Sequence, residues 1–202
     1  KDKTWFWLMS ELCSFGNLYD YANANVLNLG DRVFIMDQVS EGLSYLHGHN
    51  PPVLHRDIKP ANILLTLEGG HHVVKLCDYG GSRILQAVGG GPLNTIAVTV
   101  PYTAPELWND EENVEYPRSG ALDAFAAGLV FYQRVEAKPE DGIYCKEVVA
   151  GFIGKRMWKM QDKEWNPISV QEFDSDLVAR LKMMFEMVHF TPEKRMSMED
   201  VK

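Results

Sequence analysis

The 202-residue sequence predicts an α+β fold, with a few short strands first and a mainly helical remainder after them. Three observations support this. Apolar runs of strand length lie at residues 4–12, 62–66 and 73–77, separated by turn residues. Between residues 30 and 47, apolar side chains recur at helical spacing: Val33, Ile35, Met36, Val39, Leu43 and Leu46. Beyond residue 120 the helical periods dominate.

The elements follow in order. Residues 4–12 (TWFWLMSEL) are aromatic-rich and suit a buried strand, broken by residues 14–17 with Gly16 as the punctuator. Asn50-Pro51-Pro52 ends the helix of residues 30–47. Glu68-Gly69-Gly70 separates the next two apolar runs, which predicts a hairpin with His71 and His72 exposed in its turn. Residues 80–105 form a long loop, and loops of that length in a compact domain are usually functional. Residues 122–135 predict one buried helix and residues 147–157 a second. Residues 176–189 are amphipathic, with Leu177, Leu181, Met184, Phe185 and Val188 on one face; Thr191-Pro192 closes that helix, and a final one starts around Ser197.

Composition narrows the function classes. The chain is 46% hydrophobic and 24% charged, the profile of an ordinary globular domain. A net charge of −8 disfavours nucleic acid and anionic membrane as general partners. Cys13, Cys77 and Cys145 are too few and too irregularly spaced for a disulfide framework, and no pair has zinc-ligand spacing. A reducing, cytoplasmic setting is expected. The longest apolar stretch, residues 121–132, is interrupted by Asp123 and reads as a buried helix, so no membrane span is expected. The chain begins at Lys1 rather than Met, the pattern of a fragment, a processed product or the ordered part of something longer.

The chemistry concentrates in three short motifs. His55-Arg56-Asp57-Ile58-Lys59-Pro60-Ala61-Asn62 precedes a strand. Asp78-Tyr79-Gly80 follows the next one, and Ala104-Pro105-Glu106 closes the long loop. In this order and at these separations they resemble the catalytic loop, metal-binding loop and activation-segment end of eukaryotic-type protein kinases. Asp57-x-Lys59 resembles the Ser/Thr-specific branch, and the hinge and His55–Asn62 segments resemble its tyrosine-kinase-like group.

The resemblance implies a protein-kinase-like fold: residues 1–18 as the last small-lobe strand and hinge, and residues 19–202 as the helical C-terminal lobe with short β-hairpins. The small lobe itself would be largely absent. The catalytic loop would be residues 55–62 and the activation segment residues 78–106. Asp57 would be the base for the substrate hydroxyl, and Lys59 the cation that meets the transferred phosphoryl. Asn62 and Asp78 would hold Mg²⁺, a hard cation suited to oxygen ligands. ATP would lie against the hinge, with Ser10 as gatekeeper, the backbones of Glu11 and Cys13 on adenine, Asn17 and Asp20 on ribose, and Leu64 beneath the ring. Cys77 would border the same cleft.

Arg56 would receive an activation-loop phosphate placed by an upstream kinase, with Thr95 and Ser82 as candidate phosphosites. Thr99 falls where the family's threonine bonds the catalytic Asp and Lys. Val98 before it replaces the usual Gly, which puts that loop's backbone at odds with the pattern. His55, Tyr79, Glu106, Asp123 and Arg195 are expected to be structural, Glu106 and Arg195 as a buried ion pair and Asp123 as an anchor for the catalytic-loop backbone.

A glycine-rich phosphate cover and a strand lysine paired to a helix glutamate are not found. Gly89-Gly90-Gly91 lies inside the activation segment, Lys75 precedes the metal Asp on its own strand, and Lys1 and Lys3 come too late. The 202-residue polypeptide alone is therefore expected to show no appreciable kinase activity. Two other readings stay open: a one-lobed pseudokinase or scaffold that binds partners without catalysis, and a small-molecule phosphotransferase of similar fold.

Overall fold

The computed structural model describes residues 8–84, 102–108, 120–136, 187–188 and 192–201. Helix α1 (Leu18–Ala24) begins where the Asn17 Oδ1 accepts the Asp20 amide at 2.9 Å, satisfying one of the first-turn donors. Helix α2 (Leu29–His47) starts with a reciprocal cap. Asn28 Oδ1 accepts from the Asp31 amide and Asp31 Oδ2 accepts from the Asn28 amide, at 2.9 and 3.0 Å. That cap, rather than Gly30, sets the helix start. At the other end the Gly48 amide donates to the Ser44 carbonyl, so the helix stops before Asn50-Pro51.

The buried face of α2 carries Ile35, Met36, Val39, Ser40 and Leu43. Ser40 Oγ donates back to the Met36 carbonyl at 2.8 Å, which lets a hydroxyl sit in the core without an orphaned donor. Strand β1 (Val53–Leu54) follows, then a 3₁₀ turn (Pro60–Asn62), then β2 (Ile63–Glu68) and β3 (His71–Leu76). β2 and β3 form an antiparallel hairpin in which Glu68 pairs with His71. Gly69 and Gly70 both have positive φ, +58° and +85°, as a two-residue hairpin turn with the sheet's twist requires. The short strand β4 (Arg83–Ile84) returns to pair antiparallel with β1. The catalytic-loop motif and Asp78-Tyr79-Gly80 both lie in the chain between those paired ends.

Helix α3 (Ala121–Glu136) is buried continuously from residue 121 to residue 131. A helix apolar on all sides belongs in the middle of a core. Ala124, Ala127, Val130 and Phe131 join one cluster with Leu18, the α2 face, Ile58, Ile63, Leu65, Met187 and Met198. Leu122, Phe125 and Leu129 join a second cluster with Leu54 and Ala104. α3 thus lies between the α2 side and the loop side of the molecule.

Three expectations need correction. Residues 8–12 form no strand, and Leu8, Met9 and Leu12 are all more than nine-tenths exposed. A strand needs a ladder partner for its backbone groups, and none of the described strands pairs with this segment. His71 and His72 stand in β3 rather than in the turn, because the turn takes only Gly69 and Gly70. Both are exposed. Ser197 opens a turn rather than a helix over residues 198–201; its Oγ accepts the Asp200 amide and donates to Asp200 Oδ2. Residues 1–7 and 147–157 lie outside the described residues, as does the expected helix at 176–189 apart from Met187 and Val188. Among the described residues, no helix is long and apolar enough to cross a membrane.

Leu43 is fully buried on α2, whereas Leu67 on the hairpin is 45% exposed. Leu43→Ala is expected to lower unfolding free energy by about 2–5 kcal/mol. Leu67→Ala should stay within about 0.5 kcal/mol of the parent. Urea unfolding of the two variants checks this, and equal losses would contradict the assigned core.

Candidate active site

Asp123, on the first turn of α3, is completely buried. Its Oδ1 accepts from the Arg56 amide at 2.7 Å and its Oδ2 from the His55 amide at 2.8 Å. His47, the last residue of α2, approaches the same Oδ2 with Nε2 at 2.9 Å. Arg56 has φ +69°, in the left-handed region. That conformation costs a non-glycine residue roughly 1–2 kcal/mol. A hydrogen bond to a charged group contributes about 1.5–3 kcal/mol, so the two amide bonds to Asp123 outweigh the strain. Among the described residues only Arg56 and Asp78 are non-glycine with positive φ, and both lie in the motif segments.

The bent loop gathers three motif residues. Lys59 Nζ donates to Asp57 Oδ2 at 2.6 Å. Asn62 Nδ2 donates to the Asp57 carbonyl at 2.8 Å and to Asp57 Oδ2 at 2.9 Å. The amide of Asn62 itself donates to the Lys59 carbonyl, closing the 3₁₀ turn that Pro60 starts. Asn62 is buried and Asp57 half-buried, so the carboxylate is oriented from two sides.

His55 ties this loop to the second motif. Its Nε2 lies 3.0 Å from the Cys77 carbonyl, and the Asp57 amide points at its Nδ1 at 3.4 Å. A carbonyl only accepts and an amide N–H only donates, which assigns the hydrogen to Nε2. The His55 carbonyl in turn accepts from Ser82 Oγ at 3.2 Å. His55 is thus bonded on both sides of Asp78. Asp78 is exposed and has φ +64°, and its Oδ1 accepts from the Gly80 amide. Tyr79 is not enclosed. It is 48% exposed, its ring 4.9 Å from that of His55, so its hydroxyl needs no protein partner. Burial, and then Asp78, push the Cys77 thiol above its ordinary pKa.

Arg56 is half-buried, and burial followed by the neighbouring Arg83 pushes its guanidinium pKa down while Asp123 offsets this. Its Nε is buried without a hydrogen-bond partner among the described residues. A small open cleft beside Asp57 is lined by Arg56, Tyr102, Thr103, Leu107 and Leu122, among others.

Residues 10–20 present a mixed picture. Ser10 and Glu11 are exposed, and Cys13 is buried, with a thiol pKa raised by that burial. Glu11 pairs with Lys75 of β3 at 3.4 Å. Asn17 and Asp20 bond each other, Nδ2 to Oδ2 at 2.7 Å, as part of the α1 cap. Asn17 also bridges to Leu64 of β2, which is half-buried. Thr95 and Thr99 lie outside the described residues. His47 and the bonding role of Ser82 went unnoticed in the sequence. A histidine ending a helix reads as a partner for the helix dipole, and nothing local points to a carboxylate 76 residues away.

Arg195 holds Glu106 in a fork, Nη1 to Oε1 and Nη2 to Oε2, both at 2.6 Å. Nη1 also donates to the Ala121 carbonyl at 3.1 Å, and the guanidinium stands 4.9 Å over the Phe125 ring. The pair therefore pins the turn Pro105–Trp108 to the start of α3.

The sequence model of the protein kinase domain matches residues 1–202. The chain belongs to the protein kinase family. This kinase domain is similar to the phosphorylase b kinase gamma catalytic chain, liver/testis isoform, of Bos taurus, at 26% identity over 196 residues, 96% of this chain and 46% of that one. It is similar to ribosomal protein S6 kinase alpha-1 of Mus musculus, at 27% over 203 aligned residues, 96% of this chain and 25% of that one. To the serine/threonine-protein kinase CTR1 of Arabidopsis thaliana it is 31% identical over 157 residues, 74% of this chain and 18% of that one. The chain thus spans less than half the length of each of these curated relatives.

The kinase domain's oxygen donors fit Mg²⁺. Asn62 commits its amide hydrogens to Asp57, which leaves its Oδ1 as the atom to meet a cation. Asp78 adds an exposed carboxylate. Among the described residues there is no cluster of three or more His, Cys, Asp or Glu, so such an ion would complete its shell with phosphate and water oxygens.

The fork-to-fork pair predicts a stability effect. Arg195→Ala should cost about 3–5 kcal/mol, because it leaves Glu106 without its partner in a largely desolvated place. Arg195→Lys should recover only part of this, since an ammonium cannot reproduce the bidentate geometry. Chemical denaturation measures both, and a loss below about 1 kcal/mol for Arg195→Ala would class the pair with screened surface bridges.

Proposed function

We propose that the chain is the catalytic part of an ATP-dependent protein serine/threonine kinase, which transfers the γ-phosphoryl of ATP to a Ser or Thr hydroxyl of a protein substrate. The observation that carries this reading is the arrangement of Asp57, with Oδ2 held by Lys59 and Asn62, on a loop whose backbone is fixed by Asp123. Residues 8–18 act as the hinge to a small lobe, and residues 19–202 as the large lobe. The protein works in the cytoplasm, with an upstream kinase or regulatory partner acting on its activation segment.

In this mechanism Asp57 accepts the proton of the substrate hydroxyl as its oxygen attacks the γ-phosphorus. Lys59 and Asn62 keep the Asp57 carboxylate turned towards that hydroxyl. When a phosphoryl enters, Lys59 also supplies positive charge to its equatorial oxygens, where the transition state carries its charge. Mg²⁺ on Asn62 and Asp78 would neutralise the phosphate chain. The backbones of Glu11 and Cys13 meet adenine beside Ser10, Asn17 and Asp20 meet ribose, and Leu64 underlies the ring. The substrate segment uses the cleft that Tyr102, Thr103 and Leu107 line beside Asp57. Thr99 joins the base from the activation segment, and the guanidinium of Arg56 receives a phosphate on that segment, with Thr95 as its acceptor.

The test uses the full-length protein, ATP with a labelled γ-phosphoryl, and serine, threonine and tyrosine peptide libraries. Transfer to serine and threonine is expected, and Asp57→Asn should reduce it by about 10²–10⁴-fold, the usual worth of a general base. Equal rates for Asp57→Asn and the parent, or transfer confined to tyrosine, would contradict the proposal.

A further inference from the structure

Residues 14–17 lie along the edge of β2 that β3 leaves open. The Phe15 amide donates to the Leu65 carbonyl at 3.1 Å, and the Leu65 amide returns the bond to the Gly16 carbonyl at 2.9 Å. Asn17 bridges to Leu64. The Phe15 ring rests against His72 of β3, with centroids 5.5 Å apart, and against Tyr21 of α1 at 5.6 Å. These contacts set where the segment lies, and they involve Phe15 and the residues after it.

One residue earlier a side chain takes over. Thr66 is only 7% exposed, although Leu67 and Glu68 beside it on the hairpin are exposed. A buried hydroxyl needs partners. Both of those described for Thr66 Oγ1 belong to Ser14: the amide, which donates at 3.4 Å, and the Oγ, also at 3.4 Å. The peptide between Cys13 and Ser14 is thereby held at both ends. Its N–H goes to Thr66, and its carbonyl accepts the Gly16 amide at 3.1 Å, in a turn where Gly16 has φ +67°. Cys13 itself is buried, so its side chain is fixed as well. On the other side of Cys13, Glu11 reaches Lys75 at 3.4 Å, a pair exposed enough for salt to screen. Leu64 and Thr66 are two apart on β2 and share a face. The residue read as the adenine floor and the residue that grips the Cys13–Ser14 peptide are thus carried by one strand.

We infer that Thr66 is a positioning residue for the nucleotide: its hydroxyl holds the Cys13–Ser14 peptide and so aims the Cys13 N–H at a ring nitrogen of adenine. The nucleotide half of this inference rests on the kinase reading, in which Cys13 meets adenine; the grip on Ser14 rests on geometry alone. Thr66→Val keeps the shape of the side chain and removes the hydroxyl. Ser14 is exposed, so water can take over its amide and the fold survives. Thr66→Ser keeps the hydroxyl.

Two measurements on the full-length protein test this. The first is hydrogen exchange at single-residue resolution without nucleotide. Thr66→Val should speed exchange of the Ser14 amide about fivefold, the worth of one neutral hydrogen bond. The Phe15 amide, bonded to the β2 backbone, should keep the parent rate, and Thr66→Ser should restore Ser14. The second is equilibrium binding of ATP and of its 1-deaza and 7-deaza analogues, each lacking one ring-nitrogen acceptor, beside steady-state kinetics. Thr66→Val should weaken ATP about fivefold in both Kd and KM and leave kcat within about twofold of the parent, and Thr66→Ser should recover the affinity. With one of the two analogues the loss should vanish, because the acceptor that Thr66 helps to meet is already gone. Unchanged exchange at Ser14 would overturn the grip. Equal losses for ATP and both analogues, or a fall in kcat with Kd unchanged, would overturn the role towards adenine. A parent that neither binds ATP nor transfers phosphoryl would defeat the kinase reading itself, while faster Ser14 exchange in Thr66→Val would still sustain the grip.

Discussion

A single buried carboxylate, Asp123, holds the catalytic loop in a shape its own backbone resists. Arg56 sits in the left-handed region without being glycine. Two amide hydrogen bonds to Asp123 offset that strain. The dependence runs both ways. A carboxylate with no exposure to water is tolerable only because both oxygens are satisfied, and the loop amides satisfy them. The acid and the loop are thus each other's condition for being there.

The rest of the described structure supports that contact. α3 is buried along most of its length, which fixes where Asp123 emerges. Arg195 and Glu106 fasten the end of the long loop to the same helix start through the Ala121 carbonyl. His55 carries the restraint onwards through the Cys77 carbonyl, and Ser82 returns it to the His55 carbonyl. The pairing of β1 with β4 closes the intervening chain so that Asp57 and Asp78 are presented from one frame. Rigidity of this kind matters to a transfer reaction, in which positioning and charge placement supply most of the rate.

Periodicity made α2 and α3 legible, and the Glu68-Gly69-Gly70 cluster made the hairpin legible, because each rests on local rules of spacing and turn chemistry. The motif residues Asp57, Lys59 and Asn62 were legible as a set because their contacts span only a few residues of chain. What escaped was set by tertiary partners. Residues 8–12 have strand composition, but strand formation is decided by a neighbour rather than by the segment. His47 left no mark, because the carboxylate it meets lies 76 residues away in the chain.

The most direct test of this dependence is the backbone angle at Arg56 in Asp123→Asn, obtained by NMR from residual dipolar couplings and cross-correlated relaxation. Asparagine keeps the shape of the side chain but replaces one acceptor by a donor that faces an amide N–H. The account predicts positive φ at Arg56 in the parent and a switch to negative φ in the variant, with the core resonances of Val39 and Leu43 unmoved. A positive φ retained in Asp123→Asn would show that the loop holds its shape without the carboxylate, and would contradict the account.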